Sequence, residues 1–207
     1  MFAETFQMRN DFAAAVKKNQ ADFRLSLGDD KIDALGDYYE IVMAHNSLLH
    51  LVAPCSPEVF AVRHILESLT LLEFLPENAR FADVGTGAGL PSIPCLIARH
   101  DLRGILIESS QKKSLYLQEA AANLGLHART EIINRQFEEV QKLNVDLITS
   151  RALDKFTKKL PALVKWSGKS RLAFFGGNGL RTELQKLRLD FHETLTPQSE
   201  QRFLFTI

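Results

Sequence analysis

Three glycines fall within Gly85-Thr86-Gly87-Ala88-Gly89, directly after the run Phe81-Ala82-Asp83-Val84 and before Leu90-Pro91. Glycine reaches backbone conformations closed to other residues and lets a ligand approach where a Cβ would collide, so this turn is a place for a cofactor. The spacing is GxGxG, whereas the dinucleotide fingerprint wants its third glycine one position later, where Leu90 stands. Asp83 places a negative charge before the turn, unwelcome beside a diphosphate but suited to an ammonium group, directly or through water. Spacing and charge together favour S-adenosylmethionine over a nicotinamide dinucleotide.

Further residues with chemistry to offer follow the apolar runs downstream. Glu108 ends the run Gly104-Ile105-Leu106-Ile107, about twenty residues past the turn, where nucleotide-binding sheets carry a ribose acceptor. It reads equally as a neighbour of the helix start near Gln111, favoured there by the dipole. Ser109 and Ser110 can cap that helix or touch the cofactor. Gln136-Phe137-Glu138 offers an apolar face for an adenine and polar groups for its edge, or Phe137 is plain core. Arg151, at the end of Val145–Thr149-Ser150, can hold a carboxylate, a phosphate or the substrate base, or form a salt bridge. Arg63, Lys112 and Lys113, and Lys155, Lys158 and Lys159 further on, are candidate phosphate contacts, or solvated helix faces. His64 invites reading as a base, but its amphipathic setting favours a structural or substrate-positioning role.

The elements that must position these residues change character along the chain. Residues 1–75 are helical in pattern: Phe2, Phe6, Phe12 and Val16, then Ile32, Leu35, Tyr38, Tyr39 and Val42, recur at near-helical spacing. Ser56 beside Pro57 is a helix-start signal, with Val59, Phe60, Val62, Leu66 and Leu69 as the apolar face behind it. From residue 76 to 207, short apolar runs (Phe81–Val84, Gly104–Ile107, Thr130–Ile133, Val145–Thr149, Leu172–Phe175) alternate with helical stretches, the signature of βαβ units around a mostly parallel sheet. Phe191–Leu195 and Phe203–Ile207 flank a polar turn and add an antiparallel hairpin. The expectation is therefore an N-terminal helical extension on a seven-stranded α/β core, the two forming one compact unit.

Composition narrows the classes further. Lys plus Arg and Asp plus Glu stand at 25 each, so any nucleic-acid contact must be a local basic patch rather than a global field. Cys55 and Cys95 have no ligand spacing, which argues against a metal site and for reduced thiols. No apolar run reaches the roughly 18 residues of a membrane span and no signal peptide opens the chain, so a soluble, cytoplasmic monomer without membrane contact is expected.

Taken with Arg63-His64-Ile65-Leu66-Glu67-Ser68, the Asp83–Pro94 loop, Ser110-Gln111-Lys112-Lys113 and Thr149-Ser150-Arg151-Ala152, the chain resembles the bacterial small-subunit rRNA guanine-N7 methyltransferases, the RsmG family formerly called GidB. The resemblance runs from about Asn46 to the C-terminus. It implies a Rossmann-like class I methyltransferase fold that uses S-adenosylmethionine on N7 of a guanosine in the decoding-region loop of 16S rRNA, within the small ribosomal subunit. It also implies cofactor positions at Gly85, Leu90, Glu108 to Ser110, Phe137, Glu138 and Arg151, to which the glycine-loop reading adds Asp83, Gly87 and Gly89. Arg151 is the candidate for orienting the acceptor. Two departures stand out: His45 and His50 flank Asn46 where members often carry Trp and Asn, and Phe175-Gly176-Gly177 stands where many carry Lys-Gly. Rival readings are a methyltransferase acting on another substrate and a non-catalytic ribosome-binding relative.

Overall fold

A computed structural model describes residues 2–151 and 156–207, with side chains from residue 6 onward. Lys155 and Ala152, both singled out above, lie outside the described residues.

The N-terminal helices form where the spacing places them. In α1 (Phe2–Asn19) and α2 (Asp29–Leu49), Phe12, Val16, Ile32, Leu35, Tyr38, Tyr39 and Val42 are buried. Phe6, from the same series, is instead 67% exposed, because α1 meets its neighbours only further along. Phe12 stacks on Tyr39 at 4.9 Å, and Phe60 meets Tyr39 edge-on at 5.1 Å. Ser56 starts α3 (Pro57–Phe60) by accepting a hydrogen bond from the Val59 N–H at 3.4 Å, which satisfies one of the free donors of a helix start. The helix then continues through a π-helical turn, Ala61–Leu66, into α4 (Glu67–Leu69).

The sheet has seven strands: β1 (Arg80–Val84), β2 (Arg103–Ile107), β3 (Thr130–Ile133), β4 (Leu147–Ser150), β5 (Arg171–Gly176), β6 (His192–Leu195) and β7 (Phe203–Thr206). Their order is β3-β2-β1-β4-β5-β7-β6. Neighbours from β3 to β5 are parallel, and the β6–β7 hairpin joins β5 antiparallel, as the alternation of apolar runs leads one to expect. The connections carry α5 (Ser92–Ala98), α6 (Gln111–Asn123), α7 (Phe156–Ser167) and α8 (Asn178–Lys186).

Side chains alternate across the sheet, and this splits the core in two. Phe81, Leu106, Leu147, Ala173 and Phe175 face the N-terminal helices, α5 and α6. Ala82, Val84, Ile105, Ile107, Ile148 and Phe174 face α7 and α8. The first layer runs without interruption from Phe12 to Leu204, so the helical extension and the sheet share one core. The chain leaves β1 for β2 on one side and places β4 on the other, which opens a crevice at the carboxyl ends of these strands, where parallel α/β sheets bind ligands.

Gly176 and Gly177 show why a lysine does not stand after β5. A Cβ at Gly176 would lie 2.6 Å from Leu180 Cδ2 and 2.9 Å from Leu180 Cβ, and one at Gly177 would lie 3.0 Å from the Gln201 carbonyl oxygen. The close seating of α8 on β5 and on the hairpin takes the space a side chain would need.

Candidate active site

The crevice holds a cavity of about 280 Å³. Gly85, Gly87 and Leu90 from the glycine turn, Glu108 and Ser109 after β2, and Arg151 after β4 all line it. His64 and Lys113 join them. Of the other residues proposed from the sequence, Asp83 and Gly89 are not part of the wall, and Ser110 caps α6 by accepting from the Lys113 N–H at 3.5 Å. Phe137 is buried edge-on against Trp166 at 5.7 Å. Glu138 pairs with Lys159 at 3.3 Å, and Lys159 also donates to Gln136 Oε1 at 2.9 Å. Lys112 is exposed on α6, and the Arg63 carbonyl accepts from Arg151 at 2.6 Å.

The turn is held from several directions. Gly85 and Gly87 have φ of 69° and 59°, in the left-handed region that favours glycine. The Gly85 N–H donates to the Ile107 carbonyl at 2.9 Å, and the Gly87 N–H to Glu108 Oε2 at 3.0 Å. Tyr38 of α2 and Tyr116 of α6 both donate to the Ala88 carbonyl, at 2.9 and 3.1 Å, so one helix of the N-terminal extension braces the turn directly. The other Glu108 oxygen accepts from the Ser110 N–H at 2.8 Å. Glu108 thus ties the turn to the start of α6, the helix-start role read for it, and its carboxylate has about four lone-pair sites in all.

Asp83 is fully buried beneath the turn. Thr86 and Ser92 hydroxyls donate to its Oδ2, both at 2.7 Å, while Oδ1 is buried without a partner. Burial pushes its carboxyl up to about 7, against the pull of those two hydroxyls. The unfolded chain ionises this group near 3.9. Between those values the fold binds more protons than the unfolded chain, so this group's contribution to stability falls as the pH rises through that window. Asp83→Asn should therefore gain on the parent protein in unfolding free energy between about pH 4 and about pH 8, with a slope no steeper than about 1.4 kcal/mol per pH unit. Urea titrations of both proteins at several pH values would show it; a constant difference would mean that Asp83 is ionised throughout.

Arg151 is mostly buried and anchored to the π-helical turn. It donates to the carbonyls of Arg63 at 2.6 Å and His64 at 3.4 Å and to Ser68 Oγ at 2.8 Å, and it lies 3.5 Å from Glu67. Glu67, 4% exposed, also accepts from Arg202 at 2.6 Å. The salt bridge read from the sequence exists, but it is buried rather than on the surface. The widened turn gives Arg151 carbonyls to bind, a frequent use of π segments at functional sites. His64 packs against Phe60 at 5.0 Å. Burial, then the charges of Arg151, Arg63 and Arg202, push its imidazole down to about 4.

Sequence reading passed over Leu51, Val52, Glu67 and Arg202. Leu51 and Val52 line the cavity, held by the Asn46 side chain, which accepts from the Val52 N–H at 3.0 Å; the lone match at Asn46 was their signal. Among the described residues, no group of His, Cys, Asp and Glu could hold a metal ion, and no helix is long and apolar enough to cross a membrane.

Comparison with known proteins agrees with this architecture. Residues 31–195 match the family described as GidB, rRNA small subunit methyltransferase G. The chain is 38% identical over 140 residues to a ribosomal RNA small subunit methyltransferase G from Sorangium cellulosum, covering 64% of this chain and 58% of that protein. It is 34% identical over 136 residues to one from Neisseria meningitidis, covering 66% and 63%. The matched part therefore spans less than two thirds of these relatives' length. A SAM-dependent methyltransferase from Aquifex aeolicus shares the fold, with a TM-score of 0.58 at 18% identity over 82% of this chain and 97% of that one. With the family match covering most of its length, this chain belongs to the GidB family, rRNA small subunit methyltransferase G.

Proposed function

We propose that the protein methylates N7 of a guanosine in 16S rRNA, within the small ribosomal subunit, using S-adenosylmethionine. One observation carries the reading: among the described residues that wall the cavity, the carboxylate of Glu108 and the imidazole of His64 are both engaged by neighbouring donors, which suits an acceptor that has no proton to lose. Glu108 is held on both oxygens by backbone N–H groups, and His64 faces Arg151. When bound, S-adenosylmethionine supplies an electrophilic methyl group, and guanine N7 accepts it without losing a proton because it carries a lone pair and no hydrogen.

The residues present suit that cofactor. The open backbone at Gly87 leaves room beside the turn, since a Cβ there meets nothing nearer than Gly85 O at 3.9 Å. Glu108 retains acceptors for ribose hydroxyls, and Asp83, its Oδ1 without a partner, lies buried beneath the turn. What the chain contributes is alignment and exclusion of water, which together lower barriers by roughly 7–11 kcal/mol in favourable cases. Arg151, fixed by four partners, is positioned to orient the acceptor; Lys113 and Lys159 at the rim are suited to phosphates. A monomer acting in the cytoplasm is the proposed working unit.

Incubation with labelled S-adenosylmethionine and unmodified small subunits should give 7-methylguanosine on nucleoside analysis of the rRNA. Binding of S-adenosylhomocysteine without labelled guanosine would reject the substrate and point to another acceptor or to a non-catalytic relative.

A further inference from the structure

The cavity wall contains one side chain whose hydrogen-bonding role the rest of the site fixes. His64 Nδ1 lies 3.4 Å from Arg151 Nη2. A guanidinium has donors only, so Nδ1 must be the accepting nitrogen, and a neutral ring then carries its proton on Nε2. Nε2 has no hydrogen-bond partner among the described residues and is not among their buried unpartnered atoms, and His64 lines the cavity. Phe60 packs on the ring, while the His64 carbonyl is held by Ser68 and Arg151. Backbone, ring plane and tautomer are therefore all set, and one N–H remains to be used.

Resting on the guanine-N7 reading above, we propose that His64 is a specificity-determining residue whose Nε2–H donates to O6 of the target guanine. On that edge of the base guanine presents two acceptors, N7 and O6, whereas adenine presents the N7 acceptor beside an N6 amino donor. A fixed N–H in this position admits guanine and opposes adenine, donor against donor. Because O6 neighbours N7 on the same edge, the bond also sets where N7 points. The imidazole stays neutral at physiological pH, held so by burial and by Arg151, Arg63 and Arg202. A neutral donor orients the base without adding a full charge beside a ring that becomes cationic on methylation.

The test uses small subunits reconstituted with guanosine or 2-aminopurine riboside at the modified nucleotide; the second keeps N7 and lacks O6. Initial methylation rates are compared for the parent protein, His64→Leu and His64→Gln, with S-adenosylhomocysteine affinity measured by calorimetry in each. The guanosine to 2-aminopurine rate ratio should fall roughly five- to tenfold from parent to His64→Leu, the loss of one hydrogen bond. Cofactor affinity should stay unchanged. His64→Gln, whose amide can still donate, should recover part of the ratio. The difference in N7 reactivity between the two bases cancels in this comparison.

A ratio unchanged in His64→Leu, with both rates reduced alike, would overturn the proposal and leave His64 a packing role. Cofactor affinity falling with the rates at constant ratio would overturn it too, placing the ring against the cofactor. If His64→Leu does not fold, the comparison is made with His64→Phe, which keeps the aromatic contact with Phe60. No methylation of guanosine subunits by the parent protein would instead remove the function reading, and the proposal with it.

Discussion

Gly89→Ala should cost about 3–5 kcal/mol of stability, whereas Gly87→Ala should cost about 1 kcal/mol and weaken S-adenosylhomocysteine binding at least tenfold. Both glycines have positive φ, 95° and 59°. Their surroundings differ. A Cβ at Gly89 would lie 2.4 Å from Ile93 Cδ1, 2.8 Å from Ile93 Cγ1 and 3.2 Å from Leu117 Cδ2. Ile93 and Leu117 are fully buried, so they have no space to yield into, and steric overlap adds to backbone strain. At Gly87 the added methyl meets no protein atom nearer than 3.9 Å, and the residue lines the cavity. Its cost to the fold is the left-handed backbone alone; the larger effect falls on whatever the cavity holds. For a chain of this size, 3–5 kcal/mol corresponds to a fall in melting temperature of roughly 10 °C or more. Thermal unfolding paired with calorimetric titration separates the two variants, and equal stability losses would contradict the division of labour between the two glycines.

That contrast also marks the limit of what residue types reveal. The GxGxG pattern announces a ligand turn, but not that Gly89 serves the packing of α5 and α6 beneath it. The same holds elsewhere. Thr130–Ile133 is legible to the residue because its apolar run is bounded on both sides. The run beginning at Val145 starts two residues before β4 does, since Asp146 joins β1 through its own carboxylate and backbone, with Arg80 N–H donating to Asp146 Oδ2 at 2.9 Å. Local patterning cannot distinguish such a side-chain clasp from a ladder. Tyr38 reads correctly as core by its spacing, but its hydroxyl, which holds Ala88 across 50 residues of sequence, leaves no trace in that spacing. The π-helical turn at Ala61–Leu66 is invisible for a similar reason: the partner of its carbonyls, Arg151, lies 87 and 88 residues away. Cavity-lining residues on the glycine turn and at the strand ends were found from position because parallel sheets bind ligands there. Asp83 and Phe137 were found the same way, yet lie behind the wall rather than on it.

Glu67 is the residue whose importance the sequence hides most completely, and its removal should be as damaging as that of Gly89. Its carboxylate stands between Arg202 at 2.6 Å and Arg151 at 3.5 Å. Glu67→Ala would leave two guanidinium groups facing each other with no anion, one of them mostly buried and held only by carbonyls and a hydroxyl. Breaking a buried pair from one side costs about 3–5 kcal/mol, because the remaining charge keeps its desolvation penalty. Arg202→Leu should cost less, since Arg202 is a third exposed and its loss leaves Glu67 paired with Arg151. Glu67→Gln should fall between them, retaining an acceptor for Arg202 but not the charge. The loss in Glu67→Ala should also be nearly insensitive to added salt, unlike that of breaking the exposed Arg181–Glu193 pair, because screening by mobile ions reaches buried charges poorly. Urea unfolding at low and high ionic strength provides both readings. A small, salt-dependent effect would mean that solvent already reaches this triad. It would then follow that Arg151, and with it the nitrogen of His64 that faces the cavity, is positioned by its carbonyl bonds alone.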